Sequence, residues 1–229
     1  MAPLAQSNAD APTSAVHVHA GVTVLDGLLS VPAGADGLVV FAHGSGSSRL
    51  SPRNRYVADA LHHARIGTLL FDLLTEAEAA ERRKVFDVAL LGERLRDATT
   101  WLRGQRVAAG LGIGYFGAST GAAAALIAAA DDETVQAVVS RGGRPDLAVG
   151  ALPAVRAPTL FIVGGYDEDV LELNRRAYAQ LRCERRLEIV AGATHLFEEP
   201  GTLDRVVELA TGWFARHLRA TRRTGEHHP

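Results

Sequence analysis

The chain has 229 residues, 47% of them hydrophobic, and its 24 basic and 26 acidic side chains give a formal net charge of −2. This length and apolar content are typical of a globular protein with one α/β domain and a sizeable core. The charges are spread along the chain, so no basic stretch is long enough to neutralise phosphates, and we expect no nucleic-acid partner. The sequence has no run of about 18 apolar residues, and we expect no membrane span.

The two ends of the chain are polar, and we expect loose tails at residues 1–14 and 220–229 around a single domain at residues 15–219. The first residues lack the basic and then apolar pattern of a signal peptide. Cys183 is the single cysteine, so no disulfide can form within the chain, which fits a reducing compartment. These features predict a cytoplasmic protein, and they specify no oligomeric state.

Short apolar runs alternate with helical patterns along the chain. The first two runs, at residues 16–20 and 22–31, predict an antiparallel pair of strands. Further strands are predicted at residues 37–41, 67–73, 113–116, 135–139, 158–163 and 186–190, and helices at residues 52–65, 85–105, 121–130, 170–181 and 203–219. Ser51 and Thr202 are the predicted N-caps of the first and last helices, and residues 75–84 are charged and helix-prone. This order predicts a mostly parallel sheet with helices on both faces.

Residues 117–121 read Gly-Ala-Ser-Thr-Gly and lie between a short apolar strand and an Ala-rich helix. In this context G-x-S-x-G is typical of a nucleophile elbow, a tight strand-to-helix turn that exposes the serine hydroxyl. Gly117 and Gly121 fit the crowding of the strand and helix backbones at such a turn. The helix N-terminus also presents N–H groups and a partial positive charge to the reacting group. The pattern makes Ser119 the candidate nucleophile.

A serine hydroxyl is a poor nucleophile until a base takes its proton. Catalytic groups of such sheets follow the carboxyl ends of strands, and the last two predicted strands lead into Asp167 and His195. An imidazole titrates near neutral pH and can accept and return a proton, while a carboxylate fixes its tautomer. The chain order Ser119, Asp167, His195 is that of the α/β-hydrolase plan. Asp169 is the alternative acid, and it lies closer to the following helix.

The negative charge that develops on an acyl oxygen needs hydrogen-bond donors. We assign this role to the backbone N–H groups of Thr120, which follows the nucleophile, and of Ser45, which lies in the Gly/Ser-rich loop at residues 43–48. Some arginines also lie near predicted strand ends or loops, where they are candidates for binding an acidic substrate. They are Arg49, Arg53, Arg141 and Arg144. The alternative for each is a structural ion pair at the rim.

The sequence resembles the dienelactone-hydrolase-like group of α/β-hydrolases, in particular short bacterial hydrolases that occur alone or fused to a phosphoribosyltransferase domain. The resemblance spans residues 15–218. It is carried by the segments at residues 39–48, 68–75, 115–121, 140–145 and 192–197. It implies an eight-stranded sheet, no metal or organic cofactor, and hydrolysis of an ester or lactone through an acyl-enzyme. Ser119, Asp167 and His195 fall on the triad positions of that group.

One position departs from the family pattern. Dienelactone hydrolases proper carry a cysteine nucleophile at the elbow, whereas this chain carries Ser119, which favours a serine esterase. No large cap insertion is predicted between the strands at residues 135–139 and 158–163, which favours small, short-acyl esters or lactones as substrates. Two alternatives remain: a catalytically silent binding module, and an acyltransferase or perhydrolase that uses the same triad. A lid formed by residues 75–84 also remains open.

Overall fold

A computed structural model describes residues 12–220, and within this range eight strands form one sheet in the order β1-β2-β4-β3-β5-β6-β7-β8. The strands are β1 (Thr13–Ala20), β2 (Thr23–Ser30), β3 (Gly37–Ala42), β4 (Ile66–Phe71), β5 (Gly112–Ala118), β6 (Val135–Arg141), β7 (Thr159–Gly164) and β8 (Arg185–Val190). The pairs β1–β2 and β2–β4 are antiparallel, and the remaining pairs are parallel. The predicted α/β-hydrolase architecture is confirmed.

Helices cover both faces of this sheet. They are α1 (Pro52–His63), α2 (Glu76–Ala79), α3 (Arg82–Val85), α4 (Val88–Arg103), α5 (Thr120–Ala130), α6 (Glu168–Gln180) and α7 (Thr202–His217). Helices α1 and α7 contribute to the core on one face, and α4, α5 and α6 to the core on the other. Strands β3, β4, β5 and β7 are buried along their whole length, which explains their continuous apolar sequences.

Helix α5 is rich in alanine because it is buried on nearly all sides. It packs against α4 on the outside and against the central strands on the inside. Methyl groups allow both neighbours to approach closely, whereas larger side chains would push the helix away from the sheet. Helix α5 therefore packs close to the sheet, and its first turn directly follows Ser119.

The structure corrects two predicted helix starts and resolves the helix-prone segment at residues 75–84 into short helices. The helix predicted at residues 85–105 begins at Val88, because the Asp87 carboxylate caps it by accepting the Leu90 N–H at 3.0 Å. Gly201, not Thr202, precedes α7, and the Thr202 hydroxyl instead donates to the Glu199 carbonyl at 2.7 Å. The charged segment at residues 75–84 forms the short helices α2 and α3, the first of which starts with a capping box.

The ends of the described range refine the predicted domain limits. Strand β1 begins at Thr13, two residues inside the segment predicted to be a tail. The rest of that predicted tail, residues 1–11, and residues 221–229 of the second one lie outside the described residues. None of the helices in the described range is long and apolar enough to cross a membrane.

Candidate active site

Ser119 lies in a strained turn between β5 and α5. Its φ of 51° and ψ of −121° are unusual for a residue other than glycine and cost about 1–3 kcal/mol. A Cβ on Gly117 would lie 2.4 Å from Cα of Ala122, and one on Gly121 would lie 2.1 Å from the Ala42 carbonyl oxygen. The predicted elbow is therefore present, and both glycines are required by the close approach of backbones.

Backbone hydrogen bonds hold the elbow in this conformation. The Ser119 N–H donates to the Arg141 carbonyl at 3.2 Å, which fixes the turn to the end of β6. The Ser119 carbonyl accepts from the N–H groups of Ala122 and Arg144 at 3.0 and 3.1 Å. These bonds offset the strain, and they leave the Ser119 side chain directed to the rim of the sheet.

The structure brings Ser119, Asp167 and His195 together. Nδ1 of His195 lies 2.6 Å from a carboxylate oxygen of Asp167, and Nε2 lies 3.4 Å from the Ser119 Oγ. The first contact is that of a charge-assisted hydrogen bond. The second is at the long end of hydrogen-bond distances, as is common in enzymes without bound substrate. Asp169, the alternative acid, lies in the first turn of α6, and the carboxylate bound to His195 is that of Asp167.

Local contacts orient the two partners of Ser119. Asp167 occupies the N-cap position of α6, yet its side chain makes no capping bond in the described structure, so the carboxylate is available to His195. The loop that carries His195 is tied by Glu199, whose carboxylate accepts the Thr194 N–H at 3.1 Å and the Thr194 hydroxyl at 2.6 Å. Glu199 thus stabilises the loop that carries His195.

The Gly/Ser loop at residues 43–48 lies against the elbow. The Ser45 N–H, one of the two predicted oxyanion donors, donates to the Thr120 hydroxyl oxygen at 2.9 Å. Thr120 is buried at the first position of α5. The predicted pair of residues is therefore adjacent, and the Thr120 hydroxyl is the acceptor of the Ser45 N–H in this structure.

His43 anchors the other side of this loop. Its Nε2 accepts the Leu73 N–H at 3.1 Å, which requires a neutral ring, and Nδ1 lies 3.0 Å from the Gly44 carbonyl oxygen, to which it donates. Burial lowers the pKa of His43 below its ordinary value, although the Gly44 bond and the nearby Asp72 charge act in the opposite direction. The neutral imidazole connects the loop to the end of β4.

Two cavities open on either side of the Gly/Ser loop. The first, which we call the Ser119 cavity, has a volume of about 670 Å³ and is lined by Ser119, His195, Arg141 and the start of α1. The second, the Asp72 cavity, has a volume of about 570 Å³ and is lined by Asp26, Asp72, Arg49 and residues of α2. The segment at residues 75–84 therefore borders the Asp72 cavity, and its residues are not among those that line the Ser119 cavity.

The four predicted arginines have different surroundings. Arg49 forms ion pairs with Asp72 and, at 3.3 Å, with Asp26. Arg144 binds both carboxylate oxygens of Asp146 at 2.8 Å. Both guanidinium groups are thus neutralised by the protein, as in the structural alternative considered for them.

The other two arginines line the Ser119 cavity. Arg53 is half-exposed and pairs with Glu198 at 3.1 Å. Arg141 is 7% exposed, and within residues 12–220 its Nε and Nη1 atoms have no hydrogen-bond partner. Of the four arginines, Arg141 therefore combines the deepest burial with the least neutralisation.

Metal and thiol chemistry have little support in the described part of the chain. Among residues 12–220, no three His, Cys, Asp or Glu side chains converge as metal ligands would. Cys183 is half-buried beside Thr159, with Sγ 3.9 Å from the threonine hydroxyl, and burial raises the pKa of its thiol. A protonated thiol is a poor nucleophile.

Sequence reasoning did not assign the roles of His43, Glu199 and the Thr120 hydroxyl. His43 precedes the Gly/Ser loop directly, and Glu199 follows His195 by four residues, so position beside a motif was the signal available for both. The Thr120 hydroxyl had no such signal, because its partner Ser45 is 75 residues away in the chain.

No family model matches the chain. Curated relatives from Mycobacterium tuberculosis, provisionally named as phosphoribosyl transferases, are 60% identical over 204 residues, which is 89% of this chain and 46% of theirs. The chain thus spans about half the length of the curated relatives it matches.

Solved structures give matches over nearly their whole length. A dienelactone hydrolase from Anabaena variabilis is 56% identical, with a TM-score of 0.89 over 91% of this chain and 99% of that protein. Est1E from Butyrivibrio proteoclasticus shares the fold at 14% identity, with a TM-score of 0.76 over 88% of this chain and 98% of that one. The chain therefore belongs to the dienelactone hydrolase family and is a hydrolase of the α/β type.

Proposed function

We propose that this protein is a serine hydrolase that cleaves small, short-acyl carboxylic esters or lactones through an acyl-enzyme. The observation that carries the proposal is the series of contacts from Asp167 through His195 to Ser119, with separations of 2.6 and 3.4 Å. Ser119, Asp167 and His195 follow the carboxyl ends of β5, β7 and β8, and Ser119 and His195 line an open cavity. A nucleophile, a base and a group that orients the base are the parts that acyl transfer requires.

In the first half-reaction, Nε2 of His195 accepts the Ser119 hydroxyl proton as Oγ forms a bond to the substrate's carbonyl carbon. Asp167 accepts the Nδ1–H of His195, which fixes the tautomer and stabilises the imidazolium that forms. Collapse of the tetrahedral intermediate breaks the bond to the leaving alcohol, which takes the proton from His195. The acyl group then remains on Ser119.

The oxyanion of that intermediate accepts hydrogen bonds from the backbone N–H groups of Thr120 and Ser45. The Ser45 N–H is paired with the Thr120 hydroxyl before substrate binds, so it exchanges one oxygen acceptor for another during the reaction. Because the transition-state oxygen carries more negative charge than a hydroxyl, this exchange favours the transition state.

In the second half-reaction, His195 takes a proton from water, whose oxygen attacks the acyl carbon and releases Ser119 with its hydroxyl restored. The preference for short acyl groups is supported by the short connection between β6 and β7. That connection holds two single-turn 3₁₀ helices, Pro145–Ala148 and Leu152–Ala154, in place of a cap domain.

A panel of p-nitrophenyl esters of increasing acyl length, together with simple lactones, tests this proposal. Wild-type protein should hydrolyse the shortest esters fastest, and Ser119→Ala should lose about 10⁶-fold in kcat because the nucleophile is absent. Cys183→Ala is the matched control, since it removes the other nucleophilic side chain at a remote position, and it should retain wild-type turnover. A fluorophosphonate probe should label wild-type protein and Cys183→Ala but not Ser119→Ala.

Two outcomes would contradict the proposal. Unchanged turnover in Ser119→Ala would exclude this residue as the nucleophile. Folded wild-type protein that neither turns over any ester nor reacts with the probe would favour a silent binding module. Product analysis with added alcohol or peroxide would reveal an acyltransferase or perhydrolase, because the acyl group would then appear on the added acceptor and not in the free acid.

A further inference from the structure

Phe197, two residues after the candidate base, has a backbone conformation that is rare for a bulky side chain. Its φ of 55° lies in the left-handed region, which an aromatic residue adopts only where the surrounding structure compensates the strain. Within residues 12–220, three residues other than glycine have a positive φ, and Ser119 is another of them. The nucleophile therefore lies in a strained turn, and His195 lies directly beside a second one.

The packing of Phe197 offsets part of this strain. Its side chain is 2% exposed and belongs to the core to which α1 and α7 contribute on one face of the sheet. Its N–H donates to the Thr194 carbonyl at 3.3 Å. His195 therefore lies within a turn that is closed by a hydrogen bond between the residues on either side of it and anchored in the core at one end.

Glu199 connects this turn to the start of α7. Its carboxylate accepts the Thr194 N–H at 3.1 Å and the Thr194 hydroxyl at 2.6 Å. Its backbone carbonyl accepts the Thr202 N–H at 3.1 Å and the Thr202 hydroxyl at 2.7 Å. Thr202 is buried and is the first residue of α7. Four hydrogen bonds at one residue thus join the position before His195 to a helix that packs in the core.

The contacts with Thr194 favour the ionised form of the Glu199 carboxyl. Hydrogen bonds from the Thr194 hydroxyl and N–H lower the pKa of Glu199 below its ordinary value. Hydrogen bonds to a charged acceptor are about twice as strong as those between neutral groups. The connection between Glu199 and Thr194 is therefore formed at neutral pH, where an imidazole can act as a base.

Main chain limits the position of the imidazole from another direction. A Cβ on Gly142 would lie 3.2 Å from the His195 carbonyl oxygen and 3.5 Å from both Nδ1 and Cε1 of the ring. The Gly142 N–H donates to the Ile162 carbonyl at 2.8 Å, which fixes this glycine beside the end of β7. Because Gly142 cannot move freely, the loop that carries His195 determines where the ring lies relative to Ser119.

We propose that Glu199 is a positioning residue that keeps the His195 ring within hydrogen-bond reach of its two partners in both half-reactions. The inference rests on the proposed hydrolase function for its effect on turnover, although the state of the imidazole can be measured without turnover. Neither Glu199 nor Thr194 is among the described residues that line the Ser119 cavity. Glu199 therefore acts through His195, because loss of its carboxylate would free Thr194 and let the strained turn relax.

Steady-state kinetics with p-nitrophenyl acetate test the effect on turnover. In Glu199→Ala, kcat should fall about 10- to 100-fold, since a displacement of about 1 Å at the base is costly. KM should change little, because His195 serves acylation and deacylation alike. Glu199→Gln can accept the Thr194 N–H and donate to the hydroxyl, so it should restore most of the activity. Glu208→Ala is the matched control, since it removes an exposed glutamate of α7 that pairs with Arg205 at 2.6 Å, and it should keep the wild-type kcat.

Nitrogen NMR of the imidazole tests the positioning itself. At about pH 8 a free imidazole is neutral, and the spectrum reports which ring nitrogen carries the proton. In wild-type protein the proton should lie on Nδ1 of His195, because Asp167 accepts it; His195→Gln assigns the signals. Glu199→Ala should show a mixture of the two tautomers, whereas Glu199→Gln and Glu208→Ala should keep the wild-type spectrum. An unchanged tautomer or an unchanged kcat in Glu199→Ala would overturn the proposal.

Thr194→Val provides a second test if Glu199→Ala does not fold. It removes one of the two bonds to the carboxylate and should change kcat and the tautomer in the same direction by a smaller amount. A tautomer that depends on Glu199 in a protein without ester turnover would refute the hydrolase and retain the positioning role. Ester turnover with a tautomer that neither variant changes would retain the hydrolase and refute the positioning role.

Discussion

The two cavities beside the Gly/Ser loop differ in whether their arginine side chains form ion pairs with carboxylates. In the Asp72 cavity, Arg49 is paired with two carboxylates, and Asp72 also accepts the Arg49 backbone N–H at 2.6 Å. In the Ser119 cavity, Arg141 is more deeply buried and has unpartnered nitrogens within residues 12–220. Cavity volume does not separate the two regions, since both measure about 600 Å³. What separates the two regions is the ion pairing of their arginine side chains.

This difference indicates which arginine side chains support the fold and which are available to a ligand. A paired arginine holds two segments of chain together, and removing it leaves carboxylates unpaired. An unpaired arginine contributes no such contact, and removing it relieves a desolvated charge. The two cavities should therefore respond with opposite changes in stability to the same substitution, and the predictions below use this contrast.

The largest expected effect comes from displacing the Gly/Ser loop, which lines both cavities. In Gly121→Ala, the new Cβ would lie 2.1 Å from the Ala42 carbonyl oxygen and 2.5 Å from that of His43. Because these atoms are backbone, the helix or the Gly/Ser loop must move, and we expect a loss of about 3 kcal/mol in the free energy of unfolding. Urea denaturation measures it. Gly150→Ala is the control, since nothing lies within 4 Å of its Cβ position; an equal loss there would refute the crowding at the elbow.

The next effect compares the two arginines directly. Arg49→Met should lower the free energy of unfolding by about 2 kcal/mol, because the partly buried Asp72 and the exposed Asp26 both lose their partner. Arg141→Met should leave it unchanged or raise it, because a buried charge is replaced by an apolar group of similar length. Thermal and urea unfolding of the two variants measure the difference. Equal destabilisation by both changes would show that Arg141 supports the fold in the same way as Arg49.

A smaller effect concerns the contact between the Gly/Ser loop and the elbow. Thr120→Val removes the acceptor of the Ser45 N–H but keeps the shape of the side chain. We expect a loss of about 1 kcal/mol in the free energy of unfolding, the usual contribution of one hydrogen bond. Thr120→Ser keeps the hydroxyl and should stay closer to wild type. If Thr120→Val were as stable as Thr120→Ser, the bond would have no role in holding the loop.

The smallest effect is a pH dependence that arises at His43, which lines the Asp72 cavity. Its folded pKa is lowered from 6.5 by burial, so the unfolded chain binds more protons than the folded one between the two pKa values. Stability should therefore fall as the pH drops through 6.5 and level off below the folded pKa. His62 and His217, whose pKa values are also lowered by burial, act in the same direction.

The contribution of His43 is isolated by comparison with His43→Gln, measured as the melting temperature at pH 7.5, 6.5 and 5.5. The variant should lose less stability than wild type over this interval, because one of the three histidines whose pKa is lowered by burial is gone. The same pH dependence in both proteins would mean that protonation of His43 is not coupled to folding.

Much of the fold and of the site could be predicted because the signals are local. Continuous apolar runs mark the buried strands, and the turn at residues 117–121 carries its glycines within five positions. Asp167 and His195 follow strands directly, so their place at the rim follows from the parallel sheet. Helix α4 begins later than predicted because Asp87 caps it. The apolar spacing extends back to Val85, so periodicity alone does not show where the helix begins.

Whether each arginine forms an ion pair could not be predicted from the sequence in the same way. Arg53 and Glu198 are 145 residues apart, and Arg49 and Asp72 are 23 residues apart. Such pairs depend on which loops meet at the rim, and loops carry no periodic pattern. The lack of a hydrogen-bond partner for Nε and Nη1 of Arg141 among residues 12–220 is harder still to predict, because it depends on the positions of all the side chains around them.

The backbone of Arg141 is hydrogen-bonded to the elbow, and its side chain lines the Ser119 cavity. The carbonyl that accepts the Ser119 N–H exists whatever amino acid occupies the position. The side chain at this position can therefore vary, in natural evolution or in a saturation library, while the hydrogen bond that holds the turn of Ser119 is kept. A single codon change at the end of β6 could thus alter the lining of the Ser119 cavity without first rebuilding that turn.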